Sequence, residues 1–134
     1  MVINNDRRNP YQHWLAIVIV LTIVILDQVS KYAIRTNFEL YESVTVITGS
    51  FNLTYIENTG AAFGFLSSVS FPFKTTILAL AATIALLFIA FYMVTLPSSQ
   101  WIARTGLSCI LGGAMGNLID RITTGAVVDF IDLY

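Results

Sequence analysis

Ionisable and polar residues interrupt the apolar runs of this 134-residue sequence at four places, and these are where chemistry is to be sought. Asp27 and Lys31 are four apart in the run from Trp14 to Ile34, so they share one face of a helix. An ionised group near the middle of a membrane helix costs about 2.5–3.5 kcal/mol on insertion scales and is rarely kept without a role. The simplest role is a mutual ion pair near the helix end; a further one is to brace a site. In a second run, Ser108, Gly112, Gly116 and Asp120 recur every four residues as one stripe, with Gly113, Asn117 and Arg121 beside it. Small residues let helices approach closely in lipid, but packing alone does not explain why the stripes end in Asn117, Asp120 and Arg121. Asp129 follows, flanked by Val127-Val128 and Phe130-Ile131. An apolar setting suits a carboxyl to acid–base work, because burial favours its neutral form. Asp132, nearer the end, reads as a surface residue. Lastly, Asn58-Thr59-Gly60-Ala61-Ala62-Phe63-Gly64 has turn-forming and small residues that allow close backbone approach, as in a binding loop.

The elements that must position these residues belong to a membrane protein. Hydrophobic residues make up 56% of the chain and charged residues 11%, against about 25% charged in soluble domains. The net charge of −1 gives no sign of a nucleic-acid partner. Three spans are expected, at about residues 14–34, 75–96 and 101–122, since about 20 apolar residues cross the hydrocarbon. The second, Thr75 to Leu96, is 22 residues without a charge. Val44 to Thr48 and Phe51 to Glu57 are rich in β-branched and aromatic residues and flank Gly49-Ser50, which predicts a β-hairpin with a two-residue loop. An open sheet edge is not tolerated facing lipid, so the region 36–72 is placed at the membrane surface. The fold class is therefore mainly α and polytopic, with a small β-hairpin or cradle between the first and second spans, in one membrane-embedded domain over residues 1–134. Arg7 and Arg8 precede the first span as in a secretory signal, but no small-x-small cleavage site follows, so the span is expected to remain. Loop charges do not settle orientation: Arg7, Arg8 and Arg104 share one side, while Lys31, Arg35, Lys74 and Arg121 fall near the other. The single cysteine, Cys109, reads as a small hydrophobe in an apolar run.

Four motifs in order resemble the lipoprotein signal peptidase (signal peptidase II) family: Asp27-Gln28-Val29-Ser30-Lys31; Asn58 to Gly64; Gly112-Gly113-Ala114-Met115-Gly116-Asn117-Leu118-Ile119-Asp120-Arg121; and Val127-Val128-Asp129-Phe130. The resemblance runs from about residue 12 onward. It implies four membrane helices with an extracytoplasmic β-cradle, in the bacterial cytoplasmic (inner) membrane. The implied activity is that of an aspartic endopeptidase that cleaves prolipoproteins just before the diacylglyceryl-modified cysteine, without metal or cofactor. Asp129 would be the first catalytic aspartate. Asn117 and Arg121 would hold substrate backbone or brace the site, Asp120 would be structural, and Asp27 and Lys31 would support the site from the first helix. Asn58 and Gly60 would belong to the substrate-facing loop. The implied orientation has the N-terminus inside and Asp129 outside. The partners implied are the diacylglyceryl-prolipoprotein signal peptide and membrane lipids, with the enzyme acting as a monomer.

The family's second catalytic aspartate lies in a Phe-Asn-x-Ala-Asp motif at the start of a fourth helix, and residues 1–134 contain neither. The peptidase domain is thus expected to be C-terminally incomplete and, as these 134 residues, inactive. A helical turn between Asp129 and Asp132 could bring two carboxyls together, but the family pattern argues against that pair. Two readings from other classes compete. A transport or channel subunit would spread its acids through the bilayer, whereas here they gather near one level. A non-catalytic fragment that binds lipidated peptides would need no second aspartate.

Overall fold

The computed structural model describes residues 9–61, 65–66 and 68–134. Helix α1 spans Pro10–Asn37, strands β1 and β2 span Ser43–Ile47 and Phe51–Asn58, helices α2 and α3 span Lys74–Thr95 and Trp101–Thr124, and strand β3 spans Val127–Leu133. All three helices are long and apolar enough to cross a membrane. Helix α1 is longer than the sequence suggests at both ends. Pro10 sits in its first turn, and the Asn9 side chain accepts a hydrogen bond from the Tyr11 N–H at 3.1 Å. Asparagine at the cap and proline inside it are favourable start signals. Helix α3 stops at Gly125, whose φ of 80° is a left-handed stop that glycine adopts without penalty.

Helix α3 lies between the other two and packs on both. One four-residue stripe of it is buried throughout: Arg104, Ser108, Gly112, Gly116 and Asp120. The glycines are there because the α1 backbone is close. A Cβ on Gly112 would stand 2.6 Å from Ile23 Cβ, and one on Gly116 would stand 2.6 Å from Asp27 Cγ. Below the glycines a small core gathers Val20, Leu86 and Leu111 from the three helices. The outward faces, among them Leu87, Phe88 and Phe91 of α2, are exposed and apolar, as a lipid-facing surface must be. At the far end of the bundle, buried Arg104 donates to Gln12 Oε1 at 2.7 Å and to the Leu96 carbonyl at 2.6 Å, tying α3 to the start of α1 and the end of α2.

The sheet has order β1-β2-β3 and is antiparallel throughout. The hairpin forms as expected, with one change: Thr48 leaves the strand, so the loop is Thr48-Gly49-Ser50, with Gly49 at φ 77°. A register shift between Thr45 and Ile47 accompanies the three-residue loop. The third strand is not part of the sequence expectation. Val127–Leu133 pairs with β2, and Ile34, Tyr55 and Val128 form the small core that seats the sheet on the end of α1. Burial, with the Glu57 carboxylate accepting from its hydroxyl at 2.7 Å, pushes the Tyr55 phenol above its usual pKa.

The glycine contacts give a direct comparison. Gly116→Ala should destabilise the protein by about 1–3 kcal/mol through overpacking, whereas Gly113→Ala, where a Cβ meets nothing within 4 Å, should be neutral or slightly stabilising. Thermal unfolding in detergent measures both; equal effects would contradict the close packing of α1 on α3.

Candidate functional site

The site begins with residues that α1 presents at four-residue intervals. Asp27, Lys31 and Arg35 lie along one face, and all reach toward the end of α3. The Lys31 ammonium is buried and its three donors meet three acceptors: Asp27 Oδ2 at 2.8 Å, Asp120 Oδ2 at 2.8 Å and Asn117 Oδ1 at 2.9 Å. Asp120 is fully buried, and its four acceptor positions are likewise filled. Oδ1 accepts from Gln28 Nε2 at 3.2 Å and Arg35 Nη2 at 3.3 Å; Oδ2 accepts from Lys31 Nζ and from the Val128 N–H at 3.2 Å. Gln28 Nε2 shares its two N–H groups among Asp120 Oδ1, the Gly116 carbonyl and Asp27 Oδ2, the last two both at 3.1 Å. Two carboxylates and two cations make the cluster neutral overall, which is what allows it to be buried.

The bond from Val128 to Asp120 has a consequence for the next residue. It fixes the start of β3 against α3, and so fixes where Asp129 projects. Asp129 is exposed, not enclosed by its apolar neighbours as the sequence suggests. The reason is the strand: successive side chains point to opposite faces, so Val128 and Phe130 turn away from the carboxyl. The same alternation separates Asp129 from Asp132, three residues on, and places them on opposite faces; the helical turn that would pair them does not form. Asp132 is half-buried and accepts from the Thr54 hydroxyl at 3.3 Å.

Two clefts meet at Asp129. One, of about 490 Å³, lies between Asp27, Lys31 and Asn117 on the helices and Val128 to Ile131 on β3. The other, of about 260 Å³, is bordered by Asn58, Ala61, Ala82, Ala114, Asn117, Arg121, Val127 and Asp129. Asn117 and Asp129 border both. The loop that follows β2 is drawn to the second cleft by Arg121, whose Nη2 donates to the Gly60 carbonyl at 2.9 Å. Asn58 shapes that loop: its Oδ1 accepts from the Gly60 N–H at 2.8 Å and its Nδ2 donates to the Ala61 carbonyl at 3.1 Å. Ala62, Phe63 and Gly64 of the same motif, and Arg7 and Arg8, lie outside the described residues.

Of the residues singled out in the sequence, Asp27, Lys31, Asn117 and Asp120 form one network, while Asn58, Asn117, Arg121 and Asp129 border one cleft. Gly60 takes part through its carbonyl. Sequence reasoning misses Gln28 and Arg35 as members of the network. The signal for Arg35 is present, since 27, 31 and 35 share one helical face; Gln28 has no periodic mark and is found only from the geometry.

The described residues thus form three helices able to cross a membrane, with clefts bordered by Asp129 at one end, the architecture of an integral membrane protein. The family model described as signal peptidase (SPase) II matches residues 19–134. The lipoprotein signal peptidase of Syntrophus aciditrophicus (strain SB) is 43% identical over 112 residues, 84% of this chain and 70% of the relative. That of Moorella thermoacetica is 44% identical over 117 residues, 87% of this chain and 75% of the relative. A bacterial membrane enzyme solved by the in meso method at 2.3 Å resolution superposes with a TM-score of 0.77 and 35% identity, covering 90% of this chain and 70% of that one. The chain belongs to the signal peptidase II family, a family of aspartic endopeptidases.

The ion cluster can be tested by its coupling. Lys31→Met and Asp120→Asn should each destabilise by about 3–5 kcal/mol, because each leaves buried charge uncompensated. The double variant should cost clearly less than their sum. Additive losses in chemical denaturation would show that the two groups do not depend on one another.

Proposed function

We propose that a protein carrying these residues together with the family's Phe-Asn-x-Ala-Asp motif removes signal peptides from bacterial prolipoproteins, cutting before the diacylglyceryl-modified cysteine, with Asp129 as one carboxyl of the catalytic pair, and that the 134 residues alone, which lack that motif, are inactive. The observation that carries the assignment is the placement of Asp129: exposed where two clefts meet, on a strand whose position is set by the buried cluster one residue away. A catalytic acid must reach substrate and water, and Asp129 is placed to do so. Asp120 is fully buried with every acceptor position taken, and Asp27 is paired with Lys31, so both act as supports.

In this mechanism two neighbouring carboxyls share one proton, since both cannot ionise easily side by side. The charged one takes a proton from water, which attacks the scissile carbonyl. The protonated one hydrogen-bonds the carbonyl oxygen and then gives its proton to the leaving amine. The family resemblance puts the second carboxyl in the Phe-Asn-x-Ala-Asp motif. The extended peptide occupies the 260 Å³ cleft. Asn117 and Arg121 hold its backbone there, and the loop around Asn58 and Gly60 forms one wall. The small Ala61, Ala82 and Ala114 leave room for it.

The pairing of charges also supports an orientation. Lys31 and Arg35 are engaged by Asp120, and Arg121 by a loop carbonyl, so they count for little as topogenic charges. Lys74 is likewise held by loop carbonyls and Arg104 by Gln12 and the Leu96 carbonyl, so the topogenic weight rests on Arg7 and Arg8, in keeping with an N-terminus in the cytoplasm and Asp129 on the outer side of the inner membrane. The exposed apolar helix faces contact membrane lipids, and the diacylglyceryl group of the substrate stays among them.

Processing of a prolipoprotein in cells depleted of their own enzyme, by a form of the protein that also carries the Phe-Asn-x-Ala-Asp motif, tests the assignment; the 134 residues alone should show no cleavage, and detectable cleavage by them would refute that part of the proposal. Asp129→Asn should lower the rate by about 10²–10⁴ or more, the usual worth of general acid–base help. Normal processing by that variant would refute it.

A further inference from the structure

Lys74 opens α2 and reads from sequence as a charge flanking a membrane span. In the structure its ammonium turns back into the loop between β2 and α2. Nζ donates to the Leu66 carbonyl, to the Val69 carbonyl at 2.9 Å and to the Thr59 hydroxyl at 3.5 Å. These acceptors come from the beginning and the middle of the loop, so one cation gathers both parts onto the start of a rigid helix. The backbone around it is in a conformation that does not hold itself. Leu66 and Phe73, both bulky, have φ of 65° and 59°, in the left-handed region that such side chains avoid unless their surroundings impose it. Phe73 directly precedes the lysine, and Leu66 is one of its acceptors. The same loop begins at Asn58, and Arg121 holds its Gly60 carbonyl at the 260 Å³ cleft. Arg121 therefore anchors the loop at the site, and Lys74 anchors it on the far side.

We infer that Lys74 is a positioning residue that fixes the loop wall of the peptide cleft by binding the Leu66 and Val69 carbonyls. It touches neither the peptide nor the reacting atoms. The inference rests on the reading of that cleft as the peptide site. A wall that contacts bound peptide to the same extent before and during reaction affects binding more than turnover. Loss of Lys74 should thus appear mainly in KM.

The test uses Lys74→Met, which keeps length without donors, and Lys74→Arg, which keeps charge and donors. Spin labels at Ser68→Cys and Thr45→Cys, with Cys109→Ser, report the distance between loop and sheet in detergent or nanodiscs. The expected result is a broadened distance distribution in Lys74→Met and a near-native one in Lys74→Arg. In prolipoprotein cleavage by a form that also carries the Phe-Asn-x-Ala-Asp motif, Lys74→Met should raise KM about fivefold or more with kcat within about twofold, and Lys74→Arg should restore KM. An unchanged distribution in Lys74→Met, or equal broadening in both variants, would overturn the role of Lys74. The distance measurement needs no turnover. Absence of cleavage by every form that carries that motif, the unsubstituted one included, would overturn the proposed function, while the distances would still decide the role of Lys74.

Discussion

A single buried carboxylate, that of Asp120, holds the arrangement together. It extends from α3 to where α1 and β3 meet and accepts from both: Gln28, Lys31 and Arg35 of α1, and the Val128 N–H of β3. An isolated charge there would carry a large desolvation penalty. The penalty is met by filling every acceptor position and placing two cations against two carboxylates. Close helix approach is a condition for this. Gly116 leaves the space that the Asp27 side chain occupies, and Gly112 does the same for Ile23. The small-residue stripe and the ion cluster are thus two parts of one constraint, since the glycines bring the helices together and the charges fix their register.

The two aspartates of the α3–β3 corner illustrate how environment separates roles. Asp120 has no exposure and no vacant acceptor, so it has nothing left to offer a substrate. Asp129 is exposed at the junction of two clefts. Nine residues apart, they are joined through one backbone hydrogen bond, from Val128 to Asp120, which sets the strand from which Asp129 projects. The cluster therefore acts on Asp129 through its position, and the chemistry belongs to Asp129 itself.

Much of this was legible in the residues. Length and apolarity mark the three spans to within a few residues, because lipid imposes both. The four-residue stripe on α3 predicts its buried face, and the Asp27–Lys31 spacing predicts their ion pair. Less legible were features that depend on distant parts of the chain. The segment Val127–Leu133 has β-branched residues but no turn joining it to a neighbouring strand, and it pairs with β2, whose nearest partner Asn58 lies well before α2 and α3 in the chain. Without that strand in view, Asp129 seems to sit among apolar neighbours; alternation along the strand shows that they face away. Arg35 and Lys74 read as charges flanking membrane spans until their acceptors, on α3 and in the loop, are seen.

The claim that the buried cluster positions Asp129 is tested most directly by the cleavage kinetics of Asp120→Glu in a form that also carries the Phe-Asn-x-Ala-Asp motif. This variant keeps the charge and the acceptors but adds one methylene between α3 and its partners, so Lys31 and Arg35 remain compensated while the Val128 N–H is displaced. A misplacement of about 1 Å can cost about 10²-fold in rate. The account predicts a folded protein whose kcat falls by about that factor with KM little changed. A folded Asp120→Glu protein with undiminished kcat would contradict it.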